Sequence, residues 1–115
     1  MPPGQRDLLL VPIPFSDLTS RKLRPVVVLS NDRYNREGLD LLVAGVTSNL
    51  SSRSHVVDVD TPQLEEGTMR RPSLVRADKI FSIAQSIIVT RIGRVDRLTF
   101  QKIRELIQLL LDEAE

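Results

Sequence analysis

An arginine at a restrained backbone position is the residue of this chain best suited to phosphate chemistry. Arg24 stands directly before Pro25 and the apolar residues 26–29, a run too short and too β-branched for a helix, which predicts a buried strand. Proline fits the first position of such a strand and holds the residue before it in an extended conformation. Arg24 therefore carries a permanent cation at the end of a core strand, where its guanidinium can donate two parallel hydrogen bonds to one phosphate.

A pair of hydroxyls ends the next apolar run. Thr47 and Ser48 close the strand predicted over residues 39–47, whose near-continuous apolar character indicates burial on both faces. If this strand neighbours that of Arg24, both groups open onto one edge of the sheet, and a threonine there can donate a further hydrogen bond to a phosphate. The same two residues are equally typical of the start of a turn, and the pattern does not decide between the two interpretations.

An arginine and an aspartate two residues apart form the second candidate cluster. Arg76 and Asp78 lie in a predicted strand, so their side chains point to the same face. They can be a surface ion pair worth less than about 1 kcal/mol. They can equally be a cation and a weak base held over a substrate, and both interpretations stay open.

The other polar residues exclude several kinds of chemistry. The absence of cysteine excludes disulfides and thiol nucleophiles, and no glycine-rich phosphate loop is present. The one histidine, His55, shares its predicted strand face with Val57 and Val59, which favours a partly buried structural role. Asp58 and Asp60 are expected to face solvent, and the remaining acids are scattered. We therefore predict no metal site and no cofactor, and catalysis built from arginine, hydroxyls and one carboxylate.

The composition is that of one ordinary globular domain with an uneven charge distribution. The chain has 115 residues, 41% of them hydrophobic and 27% charged, and a net charge of +1. No signal peptide and no apolar run of about 20 residues is present, so we expect a soluble cytoplasmic protein. Basic residues outnumber acids in two regions, which favours a phosphate-binding face as much as an ordinary solvated surface. These residues are Arg21, Lys22, Arg24, Arg33 and Arg36, then Arg70, Arg71, Arg76, Lys79, Arg91, Arg94 and Arg97.

Five to six short strands and one helix are expected to position these groups. The strands are predicted over residues 7–13, 25–30, 39–47, 55–59, 73 to about 81 and 87–95. Residues 15–23, 48–54 and 64–71 are predicted as loops, and residues 31–35 as a turn with at most one turn of 3₁₀ helix. This pattern predicts a small, strongly bent antiparallel sheet or barrel.

The helix is predicted from Arg97 to about Glu113, with Asp96 as its N-cap. Apolar residues at helical spacing predict a core-facing stripe, made of Phe100, Ile103, Ile107 and Leu110. Leu106, Leu109 and Leu111 make that stripe wider than one sheet face requires. The excess favours either a wide core face or contact with a partner subunit.

An ordered set of motifs resembles the MazF/PemK family of toxin endoribonucleases. The matching segments are DLLLVPIPFSDL from Asp7, RPVVVLS from Arg24, Thr47-Ser48, PSLVRADK from Pro72 and IGRV from Ile92. The resemblance runs from about Asp7 to Leu111. Arg6 departs from the family pattern, which usually has glycine before the first-strand aspartate.

The resemblance implies a mainly β fold, an SH3-like barrel of the CcdB/PemK type with a C-terminal α-helix. It implies a single domain over residues 1–115, with the barrel over about 6–95 and the helix over about 97–113. The implied protein is a homodimeric, growth-inhibiting toxin, neutralised by a cognate antitoxin with which it also binds DNA. It would cut single-stranded RNA, messenger RNA above all, by 2′-hydroxyl attack that leaves a 2′,3′-cyclic phosphate and a 5′-hydroxyl.

The resemblance also implies roles for individual residues. Arg24 would stabilise the charge of the phosphorane and Thr47 would hydrogen-bond a non-bridging oxygen, while Arg76, Asp78 and Ser48 are second candidates for catalysis or RNA binding. The walls of an RNA groove would come from the two loops and the turn, and the residues expected to bind RNA there are Phe15, Thr19, Arg21, Lys22, Asn31, Arg33, Asn49 and Arg53. Binding should then weaken markedly with salt.

Two other functions compete with the ribonuclease interpretation. A catalytically silent barrel that binds RNA or protein would use the same surface, because a fold alone does not fix a function. A gyrase poison of the CcdB type would share the barrel, but such proteins depend on a tryptophan in the C-terminal tail, and this chain has no tryptophan.

Overall fold

The structure is a computed structural model that describes residues 2–14, 21–51 and 54–113. Its strands are β1 (Asp7–Pro14), β2 (Arg21–Val28), β3 (Asp40–Thr47), β4 (Val56–Val59), β5 (Leu64–Gly67), β6 (Ser73–Ala84) and β7 (Thr90–Val95). Its helices are α1 (Asp32–Glu37) and α2 (Arg97–Leu111), with short 3₁₀ segments at Thr61–Gln63 and Gln85–Ile87. The predicted mainly β fold with a C-terminal helix is confirmed.

The strands form one antiparallel sheet in the order β4-β6-β3-β2-β1-β7-β5. β2 is the neighbour of β3, with Val26 opposite Gly45, so the hypothesis that these two strands are adjacent is confirmed. Continuing this register by two residues brings Arg24 level with Thr47. The order of the strands therefore places the two main candidate residues side by side.

Both faces of the sheet are buried because the sheet curls into a half-barrel. Neighbouring residues of one strand point to opposite faces, and in β1 both Leu8 and Leu9 are fully buried. One apolar cluster contains Leu8, Val27, Ala44, Val75 and Val95 and is covered by Phe100 and Ile103 of α2. The other contains Leu9, Val11, Val26, Val28, Leu41, Val43 and Ile83, with Phe81 and Ile88 packed against it.

Helix α2 begins as predicted and ends earlier. The Asp96 carboxylate accepts a hydrogen bond from the Thr99 backbone N–H at 2.7 Å, which confirms the N-cap. Phe100 and Ile103 are buried, but the prediction that Leu110 belongs to the core stripe is wrong. Its side chain is 42% exposed, and Leu109 and Leu111 are 61% and 75% exposed, because the last turn of the helix extends past the sheet.

Two predicted loops are partly strand. β2 begins at Arg21 rather than at Pro25, because the polar residues before Arg24 pair with the end of β1, Leu23 opposite Pro12. β5 lies within the predicted loop 64–71 and pairs with β7. Gly67 has φ +90°, and a side chain there would collide with the Ile92 carbonyl, so the edge strand β5 and its neighbour β7 approach closely. Backbone pairing thus makes strands of segments whose side chains carry no strand pattern.

Smaller corrections concern the turn after β2, strand β3 and the last two strands. Residues 32–37 form an α-helix rather than a turn, since the Asn31 side chain accepts a hydrogen bond from Tyr34 N at 2.8 Å and caps it. β3 is not buried on both faces throughout, because Leu42 is 41% exposed. β6 continues to Ala84, and β7 begins at Thr90 because residues 85–87 turn as a 3₁₀ segment.

Arg6 occupies a backbone conformation that favours glycine. Its φ is +77°, which explains why a glycine before the first strand suits this fold. The Arg6 guanidinium donates to the Val95 carbonyl at 2.8 Å and pairs with Glu65 at 3.1 Å, and these contacts offset the strain. The departure from the family pattern is therefore accommodated by contacts between β1, β5 and β7.

Candidate active site

A bulge in β6 shapes the sheet beside Arg24. Along β3, Ala44 is paired with Ile80 and the next residue, Gly45, with Arg76, so residues 77–79 of β6 have no partner on β3. The backbone N–H of Ala77 instead donates to the His55 carbonyl at 2.9 Å. A bulge of this kind bends a strand and re-aims its side chains. It brings Arg76 and Lys79 of one strand to the same opening.

That opening, which we call the Arg24 cavity, has a volume of about 380 Å³. Strands β2, β3 and β6 supply its walls, and the lining residues are Arg24, Pro25, Gly45, Val46, Thr47, Arg76, Lys79 and Phe81. The two clusters chosen from the sequence thus meet at a single cavity, which is lined by Arg24 and Thr47 of the first and by Arg76 of the second. The three cations at its walls suit the binding of an anion.

Thr47 lines this cavity, and its hydroxyl supports the following turn. Its Oγ1 accepts a hydrogen bond from the Asn49 backbone N–H at 3.1 Å, which leaves the hydroxyl hydrogen able to donate to a ligand. The Asn49 side chain accepts from Ser51 N at 3.0 Å, so it closes the turn. Ser48 is exposed and is not among the residues that line the cavity. The turn interpretation of Thr47-Ser48 and a role of Thr47 in binding are therefore compatible.

Arg76 and Asp78 form a two-point ion pair at the rim. Arg76 Nε lies 3.2 Å from Asp78 Oδ1, Arg76 Nη2 lies 3.0 Å from Asp78 Oδ2, and both side chains are 32% exposed. The hydrogen bonds from Arg76 lower the pKa of Asp78 below its usual range, and the neighbouring His55 acts in the same direction. Asp78 is therefore a carboxylate at neutral pH that fixes the orientation of the Arg76 guanidinium.

His55 does not lie in a strand as predicted. β4 begins at Val56, and His55 has φ +59°, so the predicted shared face with Val57 and Val59 is wrong. The side chain is half-buried and hydrogen-bonds through Nδ1 to the Ser54 hydroxyl. Its carbonyl holds the β6 bulge, so the left-handed conformation of His55 is part of what shapes the Arg24 cavity.

The two aspartates after His55 differ from each other. Asp58 is exposed, as predicted. Asp60 is partly buried rather than solvent-facing, because its side chain accepts a hydrogen bond from Thr61 N at 2.8 Å and caps the 3₁₀ segment. Over the described ranges 2–14, 21–51 and 54–113, no three His, Cys, Asp or Glu side chains form a group that could hold a metal ion.

Of the residues expected to bind RNA, those that the structure describes are not gathered at the cavity. Asn31 caps α1, and Arg33 pairs with Glu37 at 3.1 Å on the exposed side of that helix. Lys22 is exposed on β2. Phe15, Thr19 and Arg53, and the side chain of Arg21, lie outside the described residues, so their assignment stays a prediction.

The sequence reasoning missed several lining residues. Lys79 is the last residue of the bulge and Phe81 follows two positions later. Both lie near Gly45: a Cβ added to Gly45 would be 3.6 Å from Lys79 Cβ and 3.8 Å from Phe81 Cε1. Pro25 was assigned only a backbone role. Strand alternation is a signal that could have found Lys79 and Phe81 together, but the bulge hides their relation to Arg76.

A second arginine cluster lies where β1 meets β7, and we call it the Asp7 cluster. The Asp7 carboxylate is 4% exposed, and its Oδ1 lies 3.1 Å from Arg91 Nε and 3.0 Å from Arg94 Nε. Both arginines also reach Glu66 at 3.2 Å. The adjoining cleft, of about 650 Å³, is larger than the Arg24 cavity. Its arginines are neutralised by carboxylates, so it offers little attraction to a phosphate.

Comparison with known proteins gives one family and a set of similar folds. The sequence model of the family described as PemK-like, MazF-like toxin of type II toxin-antitoxin system matches residues 5–111. No curated protein sequence gives a match. Among the described residues, no helix is long and apolar enough to cross a membrane.

Three similar solved structures have about one residue in five in common with this chain. A MazE–MazF structure from Deinococcus radiodurans is 19% identical, with a TM-score of 0.74, over 99% of both chains. An endoribonuclease from a mycobacterial species is 20% identical, with a TM-score of 0.74, over 96% of this chain and 92% of that one. An endoribonuclease in complex with its cognate antitoxin, also mycobacterial, is 20% identical, with a TM-score of 0.66, over 95% and 94%. At this identity the likeness concerns the fold.

Proposed function

We propose that the Arg24 cavity is the active site of an endoribonuclease. The chain belongs to the PemK-like, MazF-like family of toxins of type II toxin–antitoxin systems. The observation that carries the proposal is the meeting of Arg24, Thr47 and Arg76 at one cavity between three adjacent strands. Two guanidinium groups and a hydroxyl at one opening match the charge and the oxygen acceptors of a phosphodiester.

The reaction that these groups suit is an internal transfer on single-stranded RNA, with messenger RNA as the expected substrate. The 2′-hydroxyl oxygen attacks the adjacent phosphorus, and the bond from phosphorus to the 5′-oxygen breaks. The proton of the 2′-hydroxyl passes through the site to the 5′-oxygen. The products are a 2′,3′-cyclic phosphate and a 5′-hydroxyl. No redox step or external nucleophile is needed. Arginine and hydroxyl donors can stabilise the charge on the phosphorus, whereas the transfer of the 2′-hydroxyl proton needs a base, for which Asp78 is tested below.

Arg24 and Thr47 would stabilise the five-coordinate phosphorus. The Arg24 fork donates to two non-bridging oxygens, and the Thr47 hydroxyl donates one more hydrogen bond, as charge builds up on them. Such donors lower the barrier because they are fixed before the reaction begins. Lys79 and Arg76 add positive charge at the rim and hold the chain of phosphates on either side.

Asp78 is proposed to orient Arg76 rather than to act as the general base. Its pKa is lowered by the hydrogen bonds from Arg76, and a carboxylate with a lowered pKa is a weaker base at neutral pH. Replacing Asp78 by asparagine should then weaken substrate binding more than it changes the pH profile of the cleavage rate. A shift of the acidic limb of that profile in Asp78→Asn would assign the proton transfer to Asp78.

The two complexes among the similar structures support a further part of the proposal, a cognate antitoxin. One is a MazE–MazF structure and one is an endoribonuclease with its antitoxin. An acidic or amphipathic disordered segment is the kind of chain that would cover the cations of the Arg24 cavity. A homodimer is proposed as well, supported by the exposed leucines of the last turn of α2, and sedimentation of the purified chain tests it.

The experiment that tests the enzyme is cleavage of mixed-sequence single-stranded RNA in EDTA, with the fragment ends mapped. We expect cuts at a recurring short motif that end in cyclic phosphate and vanish in Arg24→Ala. Arg97→Ala, which removes an exposed arginine from the start of α2, is the matched control and should cut like the wild type. If folded wild-type protein binds RNA and never cuts it, the chain is a silent binding barrel.

A further inference from the structure

One wall of the Arg24 cavity is an aromatic ring that the catalytic proposal does not use. Phe81 lies in β6 opposite Val43, and its side chain packs against the apolar cluster of Leu9 and Val26. It is only partly buried, whereas Val43 in the same cluster is completely buried. The ring is therefore fixed by the core from one side and borders the cavity with the other.

Gly45 keeps the space beside this ring open. It lies on the neighbouring strand, and a Cβ in its place would come within 3.8 Å of the Phe81 ring atom Cε1. Its φ is not in the left-handed region, so glycine is not required here by the backbone. The missing side chain instead leaves room between β3 and the ring, next to Pro25.

Three cations border the same space. Arg24, Arg76 and Lys79 line the cavity together with Phe81, so a planar apolar surface and a set of phosphate donors lie at a single opening. A nucleotide combines the same two features, a flat base with π-faces and a phosphate. The volume of about 380 Å³ is at the low end of small-ligand sites, which suits one nucleotide rather than a longer segment.

We infer that the Arg24 cavity is a nucleotide subsite in which a base next to the scissile phosphate stacks on Phe81, in the room left by Gly45. The inference rests on the proposed ribonuclease function and adds a determinant of which nucleotide is cut. The phosphate is held by Arg24 and Lys79, and the Phe81 ring holds the base in place. Stacking on an aromatic ring tolerates all four bases, so Phe81 sets the position of the cut and leaves the choice of base to other groups.

The test uses the absence of tryptophan from the chain. In Phe81→Trp the new indole is the single tryptophan, and a base that stacks on it quenches its fluorescence. The ligand is a mixed-sequence 2′-O-methyl oligonucleotide, which lacks the attacking hydroxyl and cannot be cut. An abasic backbone of the same length and charge is the matched control.

We expect the base-bearing oligonucleotide to quench the fluorescence and to bind roughly 5- to 150-fold more tightly than the abasic backbone, the range given by stacking of one base. Phe81→Leu keeps an apolar side chain against the core. In this variant the ratio of the two affinities, base-bearing over abasic, should fall towards one. Equal binding of the two ligands by the wild type, or an unchanged preference in Phe81→Leu, would overturn the inference. Equal quenching of the Phe81→Trp indole by both ligands would overturn it as well.

Gly45→Ala provides a second test that does not disturb the core. The added methyl group would be in ordinary van der Waals contact with Lys79 and Phe81, so the protein should fold normally. It should raise KM for RNA cleavage several-fold and leave kcat nearly unchanged. If RNA is cut and neither Gly45→Ala nor Phe81→Leu changes KM, the subsite fails and the ribonuclease stands. If bases quench the indole of Phe81→Trp and the wild type cuts no RNA, the ribonuclease fails and the subsite stands.

Discussion

The Arg24 cavity and the Asp7 cluster are both rich in arginine and differ in the charges that accompany it. In the Asp7 cluster, Arg91 and Arg94 are each within 3.2 Å of both Asp7 and Glu66, and Asp7 is almost completely buried. In the Arg24 cavity, Arg24, Arg76 and Lys79 line one opening, and Asp78 pairs with Arg76 at its rim.

The two regions differ in what their arginines are suited to do. Carboxylates neutralise Arg91 and Arg94 and join β1, β5 and β7, so these arginines serve the fold. Among the described residues, three cations line the Arg24 cavity beside hydroxyl and aromatic groups, and this lining suits a phosphate and a base. The larger of the two openings is thus the less suitable for RNA, so size alone is a poor guide to the candidate site.

The largest expected effect is on the rate of cleavage in Arg24→Ala. Loss of a fixed donor to a developing negative charge lowers the rate of the chemical step by about 10²- to 10³-fold. The free energy of unfolding, followed in urea, should change much less than the rate. A variant that cuts RNA at the wild-type rate would remove Arg24 from the site.

Asp7→Asn should give the converse result in the other cluster. Removing the buried carboxylate takes one of two carboxylates from Arg91 and Arg94 and leaves them with Glu66, so the free energy of unfolding should fall by at most about 3 kcal/mol. The cleavage rate per folded molecule should stay at the wild-type level. Asp58→Asn, on the exposed face of β4, is the control and should change neither quantity. A rate loss in Asp7→Asn without a loss of stability would erase the distinction between the two regions.

Thr47→Val should lower the cleavage rate by about 10- to 150-fold, the value of one hydrogen bond to a charged group. The shape of the side chain is kept and the hydroxyl is lost, whereas Thr47→Ser keeps the hydroxyl and should retain most of the rate. Single-turnover kinetics of the two variants separates a hydrogen bond to the phosphate from packing of the γ-methyl group. A loss in Thr47→Ser as large as that in Thr47→Val would contradict a role of the hydroxyl in cleavage.

The smallest expected effect is on the titration of Asp78. Because Arg76 holds the pKa of Asp78 below its usual value, Arg76→Met should let that pKa rise towards the ordinary value of an aspartate, as carboxyl NMR would show. Because the pKa of Asp78 is lowered in the folded state, its ionised form stabilises that state at pH values above the ordinary aspartate pKa. This stabilisation is lost as the pH falls through the lowered pKa. Since both side chains of the pair are about one-third exposed, we expect the pair to add less than about 1 kcal/mol to the free energy of unfolding at neutral pH and nothing in strong acid. An unchanged pKa in Arg76→Met would contradict this.

The sequence was a good guide where the signal is local. Three signals carry their structural information within a few residues: the apolar run after Pro25, the apolar run of β3 and the Asp96 cap of α2. Arg24 and Thr47 could be placed together because their strands are consecutive pairing partners. The chemistry of the candidate site was therefore accessible from residue types and from the order of two strands.

The remaining features depend on partners that are distant in the chain. The bulge at residues 77–79 exists because β6 must pair with β3 on both sides of it and with His55 in between, and no local pattern marks it. β5 is a strand only because β7 lies beside it. Asp7 and Arg94 are 87 positions apart, so the neutralisation of the second arginine cluster could not be inferred from the distribution of charge along the sequence.

The most direct test of the contrast between the two regions is a matched pair of variants, Arg24→Gln and Arg94→Gln, in which the same charge is removed and the side chain stays polar. Single-turnover cleavage of one RNA in EDTA and unfolding in urea would be measured on both proteins. We predict that Arg24→Gln loses at least about ten-fold in rate at nearly wild-type stability, and that Arg94→Gln loses stability and cuts normally when folded. Normal cleavage by Arg24→Gln, or a selective loss of rate in Arg94→Gln, would contradict the assignment of the active site to the Arg24 cavity.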